Sequence, residues 1–278
     1  MRGYDTSMVC RIIKVSRSGI YKKRKQVQSE EKAKELAIIN CFEKNNGRSG
    51  RKRIKKELGR QGIVVSEYKV ARVLRRNSLI ALGGRQQHRK KAEKPTEEKY
   101  IEENLIKNKI EITTANYLWC SDIKEFKCRN GKFYVCGVID VGTRRIVGWS
   151  ISKRQTQEIV QNAFMMAVGR NPKRPENAVY HSDRGCQYTA KKTKELVEKY
   201  GFRKSMSRPG TPNDNQPIES FWHTVSVGLP DVRKLDYKQA QRAIVEYIEM
   251  YYNSSRLHSG INYYTPNEFL TIQSVYFS

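Results

Sequence analysis

The sequence predicts an α/β protein in which a mixed five-stranded sheet flanked by helices follows small all-helical modules. Three observations predict it. Between Tyr117 and Ser152, three β-rich runs, "YLWCSDIKEFKC", "KFYVCGVIDV" and "RRIVGWSIS", are separated by the turn-type pieces "RNG" and "GTR". Beyond them, helical and strand patterns alternate. Ahead of them, apolar residues at helical spacing alternate with strongly basic faces.

Length and charge limit the function. A chain of 278 residues can bury a sizeable core, and its 38% hydrophobic content with 10% aromatics is that of a folded protein. A net charge of +26 and a pI near 9.9 point to a polyanionic partner, nucleic acid first. Residues 1–100 hold 28 Lys/Arg against 10 Asp/Glu, so the N-terminal third is the expected DNA arm. The N-terminus shows no apolar leader segment, and no run approaches the roughly 20 apolar residues that span a bilayer. Six scattered cysteines without a C-x-x-C pair, and four scattered histidines, argue against a zinc finger and against a disulfide framework.

The elements follow in order. Residues 1–45 read as a basic helix-turn-helix-like segment, with Val9, Ile12 and Ile13 on one stripe and a Ser N-cap in "VSRSG". Residues 46–84 read as a second helix-turn-helix module. Ile54 and Leu58 line its first helix, Ser66 caps its second, and Val70, Val73 and Leu74 form the inner stripe. Its outer cations Arg51, Arg53, Lys69, Arg72, Arg75 and Arg76 are candidate DNA contacts, although a helical hairpin that only packs gives the same pattern. Residues 85–115 read as a charged linker, and 116–278 as the catalytic core with a C-terminal helical extension. In that core a meander of three strands precedes a helix at Gln157–Val168, the strand "NAVYHS", a helix at Lys191–Tyr200 and the strand "RKSMS". This is the order of a ribonuclease-H-like fold.

Three carboxylates stand out in that order. Asp122 closes the first strand run and Asp183 the fourth, while Glu219 lies in the first turns of a helix that follows a Pro/Gly/Asn-rich loop. The first and fourth strands of such a sheet are neighbours, so the two aspartates converge and the helix can lay Glu219 across them. Singly, each is an ordinary turn, cap or helix-dipole residue. Together they would repel and raise one another's pKa unless a cation sat among them. Mg²⁺ suits such oxygens, and two ions about 3.5–4 Å apart can serve an in-line displacement at phosphorus. Arg184 and Arg208 are further candidate phosphate contacts, and His181 is a candidate for either phosphate or packing. Asn213, Asp214 and Asn215 are expected to shape the loop and cap the helix, while Trp119, Tyr251 and Tyr252 are expected to pack.

The segments "WCSD", "VIDVGTRRIVGWSIS", "HSDRGCQYT", "MSRPGTPNDNQPIESF" and "YIEMYYNSSRLHSGINYYTPNEF" resemble the OrfB-type insertion-sequence transposases. These carry a retroviral-integrase-like core with a D,D-35-E triad, and here 35 residues separate Asp183 from Glu219. The resemblance implies that Asp122, Asp183 and Glu219 are catalytic metal ligands for two Mg²⁺ ions, with Mn²⁺ as a possible substitute. It implies double-stranded DNA partners, namely terminal inverted repeats and target, and a homo-oligomer assembled on them. It also implies an upstream helix-turn-helix (OrfA-type) partner or fusion and a cytoplasmic, nucleoid-associated bacterial setting. Ser226 departs from the pattern, because Lys or Arg usually stands seven residues after the catalytic Glu. That departure keeps open a DNA-binding regulator of transposition with weak catalysis.

Overall fold

A computed structural model of the chain describes residues 6–12, 14–82, 102–106, 114–207 and 215–276. Residues 1–86 and 87–278 form two compact units. None of the described helices is long and apolar enough to cross a membrane.

The first unit holds α1 (Thr6–Ile12), α2 (Arg17–Lys44), α3 (Arg51–Arg60) and α4 (Glu67–Arg76). Ser16 caps α2 by accepting the Gly19 amide at 3.0 Å, and Ser66 caps α4 by accepting that of Lys69 at 3.1 Å. Between α3 and α4, Gly62 takes a φ of +78°, a left-handed turn that glycine adopts without strain. A pair of amphipathic helices leaves one apolar face uncovered, and the end of α2 covers it. Ile38, Cys41 and Phe42 join Ile54, Leu58, Val65, Val70, Val73 and Leu74 in one buried cluster, so a single core spans the expected boundary at residue 45. Of the N-terminal stripe, Ile12 is exposed, and the side chains of Val9 and Ile13 lie outside the described residues.

The second unit is a three-layer α/β/α arrangement. Its strands are β1 (Leu118–Cys128), β2 (Gly131–Asp140), β3 (Ile146–Ser152), β4 (Val179–Ser182) and β5 (Arg203–Met206), in the spatial order β3-β2-β1-β4-β5. β1, β2 and β3 pair antiparallel, whereas β4 is parallel to β1 and β5 is parallel to β4. On one face, α5 (Gln157–Arg170) and α7 (Lys191–Lys199), with the short α6 (Cys186–Thr189) between them, cover Trp119, Val138, Val147 and Tyr180. On the other face, α8 (Gln216–Gly228), α9 (Tyr237–Glu246) and a π-helical turn, Tyr247–Tyr252, cover Leu118, Cys120, Phe133, Val135 and Ile139. Trp119, Tyr251 and Tyr252 therefore pack, as expected. A last helix, α10, spans Pro266–Tyr276.

Two results differ from the sequence reading. β1 does not end at Asp122 but runs on to Cys128, because its hairpin with β2 pairs down to Cys128↔Gly131. β4 matches β1 only as far as Ser121↔Ser182, so Asp122 stands where the sheet narrows. Part of the charged linker is docked: the Leu105 amide donates to Ser205 Oγ at 3.0 Å, and Glu102 pairs with Lys194 at 2.6 Å. The rest of residues 85–115, up to Thr113, lies outside the described residues.

α5 lies so close to β3 that a Cβ at Gly148 would sit 2.2 Å from the Ala163 carbonyl oxygen. Backbone cannot yield as a side chain can. Gly148→Ala is therefore expected to destabilise the protein by about 3 kcal/mol or more in urea unfolding. Gly169→Ala, where a Cβ meets nothing within 4 Å, should be neutral or stabilising.

Candidate active site

Strand alternation aims the two aspartates. Along β1, Leu118 and Cys120 face the layer of α8, and Asp122 continues that face; Trp119 and Ser121 point the other way. Along β4, Val179 faces the α8 layer and Tyr180 the opposite one. Asp183 follows at the parity of Val179. The parallel register pairs Leu118 with Val179 and Cys120 with His181 and ends at Ser121 with Ser182, so Asp122 and Asp183 are the next residue of each chain, and the charge of Asp183 acts on Asp122. Glu219 lies in the first turn of α8, the helix that covers this face, and it acts on Asp122 through space.

The floor beneath is built from residues with little freedom. Opposite Asp122 on β2 is Gly137, where a Cβ would stand 3.1 Å from the Trp222 ring. Glycine at this point lets α8 approach the sheet, and Trp222 is one turn beyond Glu219. Asn215 occupies the N-cap position of α8, yet its side chain does not cap the helix. Its amide donates instead to the Ser121 carbonyl at 3.2 Å and so ties the start of α8 to the residue before Asp122. On the far face, Ser121 Oγ lies 3.0 Å from the Tyr188 hydroxyl. Asp183 Oδ1 accepts the Gly185 amide at 3.0 Å, which folds the "DRG" turn back on its own carboxylate.

Electrostatically, Asp122 feels two like charges and one opposing cation, Lys124. The Asp122 carboxyl is half-buried, and its pKa is pushed up to about 7, first by burial and then by the charges of Asp183 and Glu219. Asp183 and Glu219 are exposed. Among the described residues, no three acidic, His or Cys side chains form a cluster that could by itself hold a metal ion. The donor set still fits Mg²⁺, which is bound through one or two carboxylates and keeps several waters.

Other candidates are occupied. His181 is buried between Ser205 Oγ and Ser207 Oγ, each at 2.9 Å, so the ring packs inside β4 and β5. Arg184 Nε donates to the Ser207 carbonyl at 2.8 Å. Asp140 is consumed by the turn after β2, where it accepts from the Asn116, Gly142 and Thr143 amides and the Thr143 hydroxyl. Burial raises its pKa to about 6, with those donors opposing the rise. Ser226 Oγ donates back to the Trp222 carbonyl at 2.8 Å. Arg208, Asn213 and Asp214 lie outside the described residues.

In the first unit, Lys69 pairs with Glu31, Arg76 with Glu35 and Arg51 with Glu67, whereas Arg72 and Arg75 are exposed and Arg53 is half-buried. The sequence reading missed Gly137 and Trp222, and it gave Asn215 the role of shaping the loop and capping the helix, whereas its side chain binds the Ser121 carbonyl instead. The only signal for Asn215 was its place before a helix, and that signal names a cap.

The chain matches known proteins along nearly its whole length. The integrase core domain family matches residues 113–212 and, in a second profile, 200–266; an HTH-like domain matches 28–89. The transposase for insertion sequence element IS904 of Lactococcus lactis is 32% identical over 88% of this chain and 96% of its own length. Transposase InsF for insertion sequence IS3A of Escherichia coli is 30% identical over 96% of this chain and 94% of its own. Among solved structures, the HTLV-2 integrase catalytic core domain in complex with magnesium has a TM-score of 0.40 at 18% identity, covering 55% of this chain and 94% of that one. With an integrase core domain preceded by an HTH-like domain, and two insertion-sequence transposases aligned almost end to end, this chain belongs to the insertion-sequence transposase family.

Proposed function

We propose that this transposase cuts DNA at the ends of its insertion sequence and joins the freed ends to target DNA, with Asp122, Asp183 and Glu219 as metal ligands. In the first step the oxygen of a water attacks phosphorus at the element end. The strand's 3′ oxygen leaves and takes a proton. In the second step that 3′-OH attacks a phosphorus of the target strand. A new 3′-O–P bond forms, and the target's own 3′ oxygen leaves as a hydroxyl. Two Mg²⁺ ions, replaceable by Mn²⁺, would supply Lewis-acid polarisation of the phosphodiester and a more acidic water.

The observation that carries this reading is that Asp122 and Asp183 each follow the last paired residues of β1 and β4, Ser121 and Ser182, and that the charges of Asp183 and Glu219 both act on Asp122. The raised pKa of Asp122 supports it, since burial and the like charges of Asp183 and Glu219 outweigh the opposing charge of Lys124. The basic N-terminal unit and the net charge of +26 support double-stranded DNA as the partner, both as terminal repeats and as target. A homo-oligomer holding two ends, with an upstream helix-turn-helix partner or fusion, completes the proposal. A second reading is a regulator that binds ends and cuts poorly. The Ser226 hydroxyl, turned back onto its own helix, favours that reading because it offers DNA no cation there.

A cleavage and strand-transfer assay on labelled duplexes carrying the element's ends separates the two. Products that need Mg²⁺, vanish in EDTA and fall about a thousandfold in Asp183→Asn, with binding retained, are expected of the enzyme. Binding without products in either protein, even with the upstream half added back, leaves the regulator.

A stability measurement probes the carboxylates directly. An aspartate whose folded pKa lies near 7, against about 3.9 when unfolded, costs nothing below pH 4, where it is protonated in both states. Between those values only the unfolded chain ionises, so stability falls as pH rises and the full penalty stands above pH 7. Metal-free Asp122→Asn should therefore melt several degrees above wild type at pH 8 and level with it at pH 4. Added Mg²⁺ should raise the wild-type midpoint and leave that of the variant unchanged.

A further inference from the structure

The structure assigns base reading in the HTH-like unit to Tyr68, with Val64 ahead of it and Arg72 and Arg75 on the same outer stripe of α4. The inference rests on the reading of this chain as a DNA-binding transposase and names the residues through which it would tell one duplex from another.

The outer stripe follows from the helix. At roughly 100° per residue, Tyr68, Arg72 and Arg75 fall within about 60° of one another. Val70, Val73 and Leu74 lie diametrically opposite and are buried against α2 and α3. Between the two faces runs a flank holding Lys69 and Arg76, and α2 occupies it. Glu31 and Glu35, one turn apart on α2, receive Lys69 at 2.5 Å and Arg76 at 3.9 Å. The Lys69 side chain is only 12% exposed, so it braces α4 against α2 and is not free to meet a phosphate. What α4 presents outward is therefore an aromatic ring followed by two guanidinium groups.

That surface is unusual for its apolar content. Val64 and Tyr68, at 82% and 77% exposure, exceed every other exposed large apolar side chain among the described residues. Phosphate binding needs no such groups. A helix lying in the major groove meets thymine methyls and base edges with its N-terminal residues, and Tyr68 is the second residue of α4. The charge around it supplies the complement to a polyanion: Arg72 and Arg75 share the stripe, and Lys52 and Lys55 are exposed on α3. An acidic protein surface would meet the same cations but would gain nothing from base-sized discrimination.

The test uses the full-length chain and a randomised duplex library. Wild type is expected to enrich a consensus. A selected duplex and its scrambled counterpart are then compared over a salt series. Tyr68→Ala should weaken the selected duplex about tenfold or more, leave the scrambled one unchanged and keep the salt slope. Tyr68→Phe should keep most of the selectivity, because the ring remains. Lys52→Ala should weaken both duplexes alike and flatten the slope, whereas Lys69→Ala should lower the melting temperature of the unit with little change in slope. Equal loss on both duplexes in Tyr68→Ala, or no loss, overturns the assignment, as does a wild type that enriches nothing while still binding. A wild type that binds no duplex, or an α4 stripe that instead retains an acidic protein, overturns the DNA reading itself.

Discussion

The pairing of β1 with β4 is the constraint on which the rest depends. Parallel strands need a crossover between them, and here it comprises the remainder of the meander and α5. Once β4 lies beside β1 with Ser121 against Ser182, Asp122 and Asp183 are the next residues along the two chains, near enough for the charge of Asp183 to act on Asp122. The antiparallel hairpin carries β1 past that point while β4 stops. Asp122 consequently stands at a step in the sheet, with a partner strand on one side only.

The two cores divide the labour around that step. The α5 side is dense, with Trp119, Phe164 and Phe202 in mutual ring contact and Gly148 allowing backbone to touch backbone. It anchors the buried strands. The α8 side carries the charge, and its packing is arranged to hold one helix at a set distance: Gly137 admits Trp222, and Asn215 holds the N-terminus to β1. Farther along, Asn253 pairs with both the amide and the carbonyl of Ile146, which secures the C-terminal helical layer to the sheet. Such support holds Asp122 in place although it is partly out of water and near two like charges.

In the N-terminal unit the same separation of roles appears within a single helix. Buried aliphatics hold α4 to its neighbours, acidic residues of α2 neutralise one flank, and the outer stripe remains for a partner. A count of cations cannot make that division. Lys69 and Arg72 are three residues apart and equally basic in the sequence, yet one is internal structure and the other faces water.

Much of the architecture was legible from the residues themselves. Alternating β-rich runs, turn dipeptides and helical stripes are local patterns, and they located all five strands and the helices α3, α4, α5 and α7, but not the 28-residue extent of α2 or the last helix, α10. The 35-residue spacing between Asp183 and Glu219 and the strand-end position of Asp183 are likewise carried by the chain. What tertiary structure alone decided is the set of long-range choices. β1 continues past Asp122 because a partner strand is there to pair with it. Asn215 binds Ser121 rather than its own helix because α8 is delivered to that edge. His181 is enclosed by Ser205 of β5 and by Ser207 just after it, on a strand that starts 22 residues onward and whose register no local pattern encodes. Local sequence sets which residues could be functional; the packing of distant segments decides which of them are left free to act, because each hydrogen bond or ion pair formed inside the fold removes that group from the surface.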